Sequence, residues 1–89
     1  LAIASALADA GPPPIDVHCR RGEAHSTILE WTPESDGPHV VYWRDTVSAV
    51  WEGSALSESP GRATVETVNI DDHEFAVGAV GGIPVAPRS

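Results

Sequence analysis

DDHEFAVGAV, residues 71–80, is the stretch that decides the fold class. Its alternate positions carry His73, Phe75, Val77 and Ala79, and the positions between them carry small or polar residues. A period of two places the larger apolar side chains on one face of a β-strand. The stretch therefore predicts a core strand of a small β-sandwich.

Short strand-like runs separated by turn-forming residues fill the rest of the chain. Besides residues 71–80, we expect strands at 15–19, 26–31, 39–44, 48–52, 62–68 and 83–86. The last of these is expected at a sheet edge because it contains Pro84 and is followed by Pro87. Short strands at close spacing, with Gly and Pro turns, predict an antiparallel sandwich or barrel of about seven strands.

The first fourteen residues have a different character. Residues 1–10 are rich in Ala and Leu with helical spacing, so we expect a short helical segment, the tail of a preceding domain. The alternative is the remnant of a signal peptide. Residues 11–14 are Gly-Pro-Pro-Pro, a stiff linker that ends any helix, which leaves a β domain at residues 15–87. Position 1 is not Met, so we expect a fragment or a processed product.

The charge of the chain limits its partners. The chain has thirteen Asp and Glu residues but only five Arg residues and no Lys, which gives a net charge of −8. This charge repels phosphate backbones and anionic lipids, so we expect neither nucleic acid nor membrane as a partner. Cys19 is the only cysteine, so an internal disulfide is excluded, and we interpret it as a small buried hydrophobic residue.

The sequence lacks the motifs that metal sites and active sites usually show. His18 and Cys19 are adjacent and point to opposite faces of a strand, and no C-x-x-C or H-x-x-x-H spacing occurs. Asp71 and Asp72 are expected to form a turn, with Ca²⁺ binding as the alternative. No serine lies in a G-x-S-x-G elbow. We therefore expect no catalytic, cofactor-binding or metal-ligating residues, and no enzyme activity from this chain by itself.

The candidate core and the candidate partner-binding residue are mostly aromatic or β-branched. The expected core consists of Leu29, Trp31, Val41, Trp43, Val65, Phe75 and Val77. In the first strand, Ile15, Val17 and Cys19 are expected on one face. Trp51 lies close to Gly53 in a short edge segment and is the candidate for exposure, where it would stack on a sugar or anchor a protein. The alternative is that Trp51 covers the rim of the core or contacts a neighbouring domain.

Three short motifs resemble the fibronectin type III family. LEWTP at residues 29–33 resembles its second strand, VYWR at 41–44 its third strand, and FAVGAV at 75–80 its sixth strand. The resemblance covers residues 12–87 and implies an immunoglobulin-like antiparallel β-sandwich. His73 stands where the family has a Tyr whose hydroxyl ties down the preceding corner, and an imidazole N–H can replace that hydrogen bond.

A narrower resemblance concerns the order of features along the chain. The Ala/Leu segment, the Pro-rich hinge, Trp43-Arg44, Trp51 and the late FAVGAV resemble the C-terminal domain of some secreted bacterial and fungal di-zinc aminopeptidases. This implies a non-catalytic accessory domain in a secreted or periplasmic peptidase, packed against a catalytic domain. The zinc ligands would lie upstream of Leu1. The alternative is a fibronectin type III-like binding module, free-standing or in an array, for protein or glycan partners.

Overall fold

The computed structural model describes residues 12–35, 37–57 and 59–88, and in these residues it has two antiparallel sheets and no helix. The strands are β1 (Ile15–Arg21), β2 (Thr27–Thr32), β3 (His39–Asp45), β4 (Gly53–Leu56), β5 (Arg62–Val65) and β6 (His73–Ala79). The first sheet has the order β1-β2-β5 and the second the order β4-β3-β6. The all-β prediction is confirmed, whereas the predicted helix at 1–10 lies outside the described residues.

The buried apolar side chains of both sheets form one cluster. Its members are Val17, Leu29, Trp31 and Val65 from the first sheet, Val41, Phe75 and Val77 from the second, and Val68 from the loop after β5. In β2 and β6 the members are alternate residues, as the period of two requires, whereas β4 contributes none. The sheets therefore pack face to face. Trp43 lies at the margin of the cluster and is half-buried.

The predicted edge strand at residues 48–52 is wrong, and β4 begins just after it at Gly53. Ser48 Oγ lies within hydrogen-bonding distance of both Val50 O and Val50 N, and Asp45 Oδ1 accepts the Val47 N–H at 3.0 Å. These local bonds satisfy the backbone within the loop and compete with a sheet ladder. Gly53 has no room for a Cβ against the indole of Trp43, so this glycine lets Trp43 lie across the start of β4.

The predicted strand at residues 83–86 is reduced to one bridge. Val77 and Val85 exchange two backbone hydrogen bonds, at 3.0 and 2.8 Å, and the Arg88 N–H then donates to the Val17 carbonyl at 2.8 Å. Pro84 and Pro87 have no N–H with which to extend the ladder. Residues 83–88, the C-terminal segment, therefore cross from the second sheet to the first.

Two predicted strands differ from the structure in their backbone geometry. Ile15 is 46% exposed although Val17 is buried, because the β1–β2 register shifts between Ile15 and His18 and Asp16 has a φ of 52°. Such a bulge removes Ile15 from the buried row. The strand predicted at 62–68 ends at Val65, since the chain turns there and Thr67 has a φ of 61°.

Thr27 provides a test of the buried hydrogen bond that joins β2 to the loop after β5. Its side chain is fully buried and its hydroxyl donates to the Val68 carbonyl at 2.8 Å. Thr27→Val removes the donor at nearly constant volume and leaves a buried carbonyl unpaired. We expect a loss of about 1–3 kcal/mol in the free energy of unfolding, measured by urea denaturation. Thr64→Val, on an exposed position of β5, is the matched control and should change little; equal losses would contradict this role.

Candidate functional site

The outward face of the first sheet is charged. The strand register aligns His18, Glu30 and Arg62 in one row across the sheet. Arg20 donates to Glu30 at 3.0 Å, and this hydrogen bond lowers the pKa of the Glu30 carboxyl. This is the composition expected of a sheet face in contact with water.

The outward face of the second sheet is apolar over much of its area. The register places Leu56 beside Val40 and Ser54 beside Tyr42. Leu56 is 63% exposed, and Trp51, from the loop between β3 and β4, is 37% exposed. We call Val40, Tyr42, Trp51 and Leu56 the outer apolar face. Contiguous exposed apolar side chains mark sites of interaction, so this face is the candidate site.

Arg44 holds Trp51 against the sheet. The Arg44 guanidinium carbon lies 4.6 Å from the centroid of the Trp51 ring, a cation–π contact. Arg44 also donates to Glu74 at 2.9 and 3.1 Å and to the Ala49 carbonyl at 3.3 Å. The ring of Tyr42 lies 5.8 Å from that of Trp51, tilted by 39°. Because these contacts fix the indole before any partner arrives, binding through Trp51 would lose little side-chain entropy.

Two grooves flank the second sheet. One, of about 340 Å³, runs beside Trp51 along β6; its lining includes Arg44, Glu74, Phe75, Ala76, Pro84 and Ala86. The other, of about 660 Å³, lies between β4 and β5, and its lining includes Trp43, Ala55, Leu56 and Ala63. Each groove joins a Trp side chain to charged residues, and the first differs in that it runs along β6, at the edge of the second sheet.

His73 closes the corner that leads into β6. Its Nδ1 lies 3.1 Å from the Asn69 carbonyl oxygen, and since a carbonyl only accepts, Nδ1 carries the proton. The Asn69 side chain accepts the Asp71 N–H at 2.9 Å. Asp71 lies in a turn, and its two carboxylate oxygens accept hydrogen bonds from Arg21 at 2.8 and 2.9 Å. Arg21 thereby lowers the pKa of the Asp71 carboxyl.

Replacing His73 tests this corner. His73→Phe keeps an aromatic ring but removes the donor, and we expect a loss of about 1 kcal/mol in the free energy of unfolding. His18→Phe, at an exposed position of β1, is the control and should have a smaller effect. The protonated nitrogen is identified by ¹⁵N NMR of the imidazole, which should show the proton on Nδ1. A proton on Nε2 alone would contradict the bond to Asn69.

The acid dependence of unfolding tests the Arg21–Asp71 pair. The pKa of Asp71 is lower in the folded protein than in the unfolded chain, so this pair stabilises the fold above the ordinary Asp pKa of about 3.9. The stabilisation is lost as the pH falls through the lowered pKa. We expect Asp71→Asn to lack this part of the pH dependence when urea midpoints are compared between about pH 2 and pH 5. Identical pH profiles for the two proteins would count against the pair.

Two features, the burial of His39 and the contact between Arg44 and Trp51, were not predicted from the sequence. His39 is fully buried, with its ring 5.7 Å from that of Trp31, whereas the sequence placed it only near a strand start. Its position in one row with Val41 and Trp43 is the signal that predicts burial. The contact between Arg44 and Trp51 crosses a loop and has no signal in the sequence.

The described part of the chain gives little support for a metal site or a reactive thiol. No three or more His, Cys, Asp or Glu side chains in residues 12–35, 37–57 and 59–88 are grouped so that they could hold a metal ion. Within the same residues, no helix is long and apolar enough to cross a membrane. Burial raises the pKa of the Cys19 thiol, which reduces the thiolate fraction at neutral pH and hence its reactivity.

Comparison with known proteins gives information on the fold. No protein-family model matches the sequence, and no curated protein matches it. A solved myokine structure is similar, with a TM-score of 0.59 over 88% of this chain and 99% of that chain, at 15% sequence identity. At this identity the similarity establishes a shared fold only, so the function must be argued from the site.

Proposed function

We propose that this chain is a non-catalytic interaction domain of the fibronectin type III type, which docks on a neighbouring domain through its outer apolar face. The strand order supports this fold. In immunoglobulin-like sandwiches the first, second and fifth strands share one sheet, and the third and sixth share the other. The same partition holds here, with β4 added beside β3. Further support comes from His73. Its hydrogen bond to the Asn69 carbonyl corresponds to the bond that the Tyr hydroxyl makes in a tyrosine corner.

The observation that carries the proposed role is the contrast between the two outward faces. The first sheet presents Arg20, Glu30 and Arg62 to water, whereas the second presents Leu56 and Trp51 and has its ion pair, Arg44–Glu74, at one end of β3 and β6. Covering apolar surface gains about 25 cal/mol per Å². A neighbouring domain placed on the outer apolar face would gain this free energy, and the same domain placed on the first sheet would have to desolvate charges.

The setting we propose is a secreted or periplasmic zinc aminopeptidase in which this chain is an accessory domain. The support is the order of features in the sequence, from the Pro-rich hinge to FAVGAV. Zinc and the catalytic residues would belong to the catalytic domain, and this chain would supply no ligand. Its role would be to cover apolar surface of the catalytic domain or to shape access to its cleft.

The coding DNA on both sides of the chain gives the first test. We expect an upstream domain that contains His, Asp and Glu zinc ligands. A start codon and a short basic leader directly before Leu1 would contradict the aminopeptidase setting.

The second test uses the product of the whole reading frame. Leu56→Arg should detach the domain, seen as a larger radius of gyration in small-angle scattering. Thr64→Arg, on the outward face of the first sheet, is the matched control and should leave the radius unchanged. Equal behaviour of the two variants would contradict docking through the outer apolar face.

A second candidate function is a glycan-binding module, free-standing or in an array. It is favoured by one observation, the exposed Trp51 ring that Arg44 fixes in place. Aromatic rings held in this way stack on the apolar faces of sugars. A glycan microarray probed with the 89-residue chain tests it. Binding that Trp51→Ala abolishes is the expected result, and an absence of binding to every immobilised glycan would exclude it.

A further inference from the structure

The free edge of β6 is only partly covered. In the described residues, the backbone bonds between β6 and the C-terminal segment are confined to Val77 and Val85. The antiparallel register of this pair would next place Phe75 opposite Pro87, which has no N–H to donate. The Arg88 N–H turns away to the Val17 carbonyl. The edge of β6 from His73 to Phe75 is thus left without the C-terminal segment as a ladder partner.

The groove of about 340 Å³ lies along this same edge. Trp51 lines it from the β3–β4 loop, and Pro84 and Ala86 line it from the C-terminal segment. A strand edge beside apolar side-chain pockets is the arrangement used when an extended segment adds to a sheet. The main chain then gives affinity, and alternate side chains fill the pockets.

The charges around the groove determine which charge a bound segment should carry. In the lining of the groove Arg44 and Glu74 pair with each other, and four further carboxylates lie at the same end of the second sheet: Asp45, Glu52, Asp71 and Asp72. Arg21 and Arg44 pair with Asp71 and Glu74, so in the described residues Asp45, Glu52 and Asp72 are left without an arginine partner. The local excess is therefore negative and attracts a basic side chain. A second copy of this chain is disfavoured as the occupant because each copy carries a net charge of −8.

We propose that this groove is a docking site for an extended segment of a partner protein, in which Lys or Arg alternates with apolar residues. The segment pairs with the His73–Phe75 edge of β6, packs an apolar side chain against Trp51 and places its basic side chains among the carboxylates. This inference rests on the proposed role as an interaction domain. The two sites share Trp51, but the segment pairs with the edge of β6, whereas a neighbouring domain would also cover Val40, Tyr42 and Leu56.

Panning a library of random phage-displayed peptides against the 89-residue chain tests the proposal. We expect enriched peptides with Lys or Arg next to apolar residues, and weaker binding at higher salt. In a hydrogen-exchange experiment with a synthetic enriched peptide, the Phe75 amide should become protected.

Ala86→Trp, which fills the groove from an exposed position, should weaken binding by about tenfold or more. Ala55→Trp, in the groove between β4 and β5, is the matched control and should bind normally.

Three results would overturn the proposal: no enriched sequence, an acidic consensus, or equal binding to the Ala86→Trp and Ala55→Trp variants. The Leu56→Arg variant separates this proposal from the proposed function. If the peptide still binds this variant and the Phe75 amide is protected, the proposal for the groove is supported even if scattering shows no domain docking. If scattering shows docking but no peptide is enriched, the groove fails and the proposed function stands.

Discussion

Trp31→Ala is expected to lower the free energy of unfolding by about 3–5 kcal/mol, the largest effect among the substitutions considered. Trp31 is only 6% exposed and belongs to the cluster that both sheets share. Truncating it leaves a cavity between the sheets that the rigid strands cannot close. Since small domains have about 5–15 kcal/mol of stability in total, much of the Trp31→Ala protein should be unfolded at room temperature if the wild type lies at the low end.

Urea denaturation followed by far-ultraviolet circular dichroism measures this effect without relying on tryptophan fluorescence. Trp51→Ala is the matched control, because the same residue type is removed from a position that is 37% exposed, and its loss should be about 1 kcal/mol. Trp31→Phe should fall between the two, since Trp31 Nε1 has no hydrogen-bond partner in the described residues. Equal losses for Trp31→Ala and Trp51→Ala would contradict the central position of Trp31.

Gly61→Ala is expected to cost about 2–4 kcal/mol. Gly61 has a φ of +78°, and a Cβ on it would lie 2.8 Å from the carbonyl oxygen of Trp31. The Gly61 carbonyl also accepts the Trp31 N–H at 3.0 Å. The Trp31 carbonyl oxygen belongs to the main chain and cannot rotate away as a flexible side chain could. The backbone of the first sheet would therefore have to shift to admit one methyl group.

Gly81→Ala separates the two contributions to this loss. Gly81 has the same φ of +78°, but a Cβ added to it would meet no atom within 4 Å. Its substitution should therefore cost only the left-handed backbone term, about 1–2 kcal/mol. The difference between the two variants, measured by urea denaturation, reports the collision with Trp31. Equal losses would show that the collision is relieved without cost.

The alternation of apolar residues was enough to predict the central strands but not the edges. β3 and β6 lie close to the predicted ranges, because their inward residues, such as Val41 and Val77, are strongly apolar. The edge strand was misplaced because Ser48 and Asp45 bind the loop backbone locally. The position of Ile15 was wrong because a bulge needs the positive φ of Asp16, which alternation does not encode.

The candidate site was predictable only in part. The position of Trp51 in a short segment before a glycine indicated exposure, and the structure places its ring at the surface. The partners of that ring depend on cross-strand register. Arg44 reaches Glu74 because β3 and β6 place them opposite each other, and no local pattern in the sequence fixes that register.

Hydroxyl-radical footprinting of the outer apolar face tests the central claim most directly. The oxidation rates of the Leu56 and Trp51 side chains are compared between the isolated 89-residue chain and the product of the whole reading frame. If this face docks on a neighbouring domain, both rates fall in the longer protein, while the rates of His18 and Ile28 on the first sheet stay the same. Unchanged rates at Leu56 and Trp51, or protection confined to His18 and Ile28, would contradict the account.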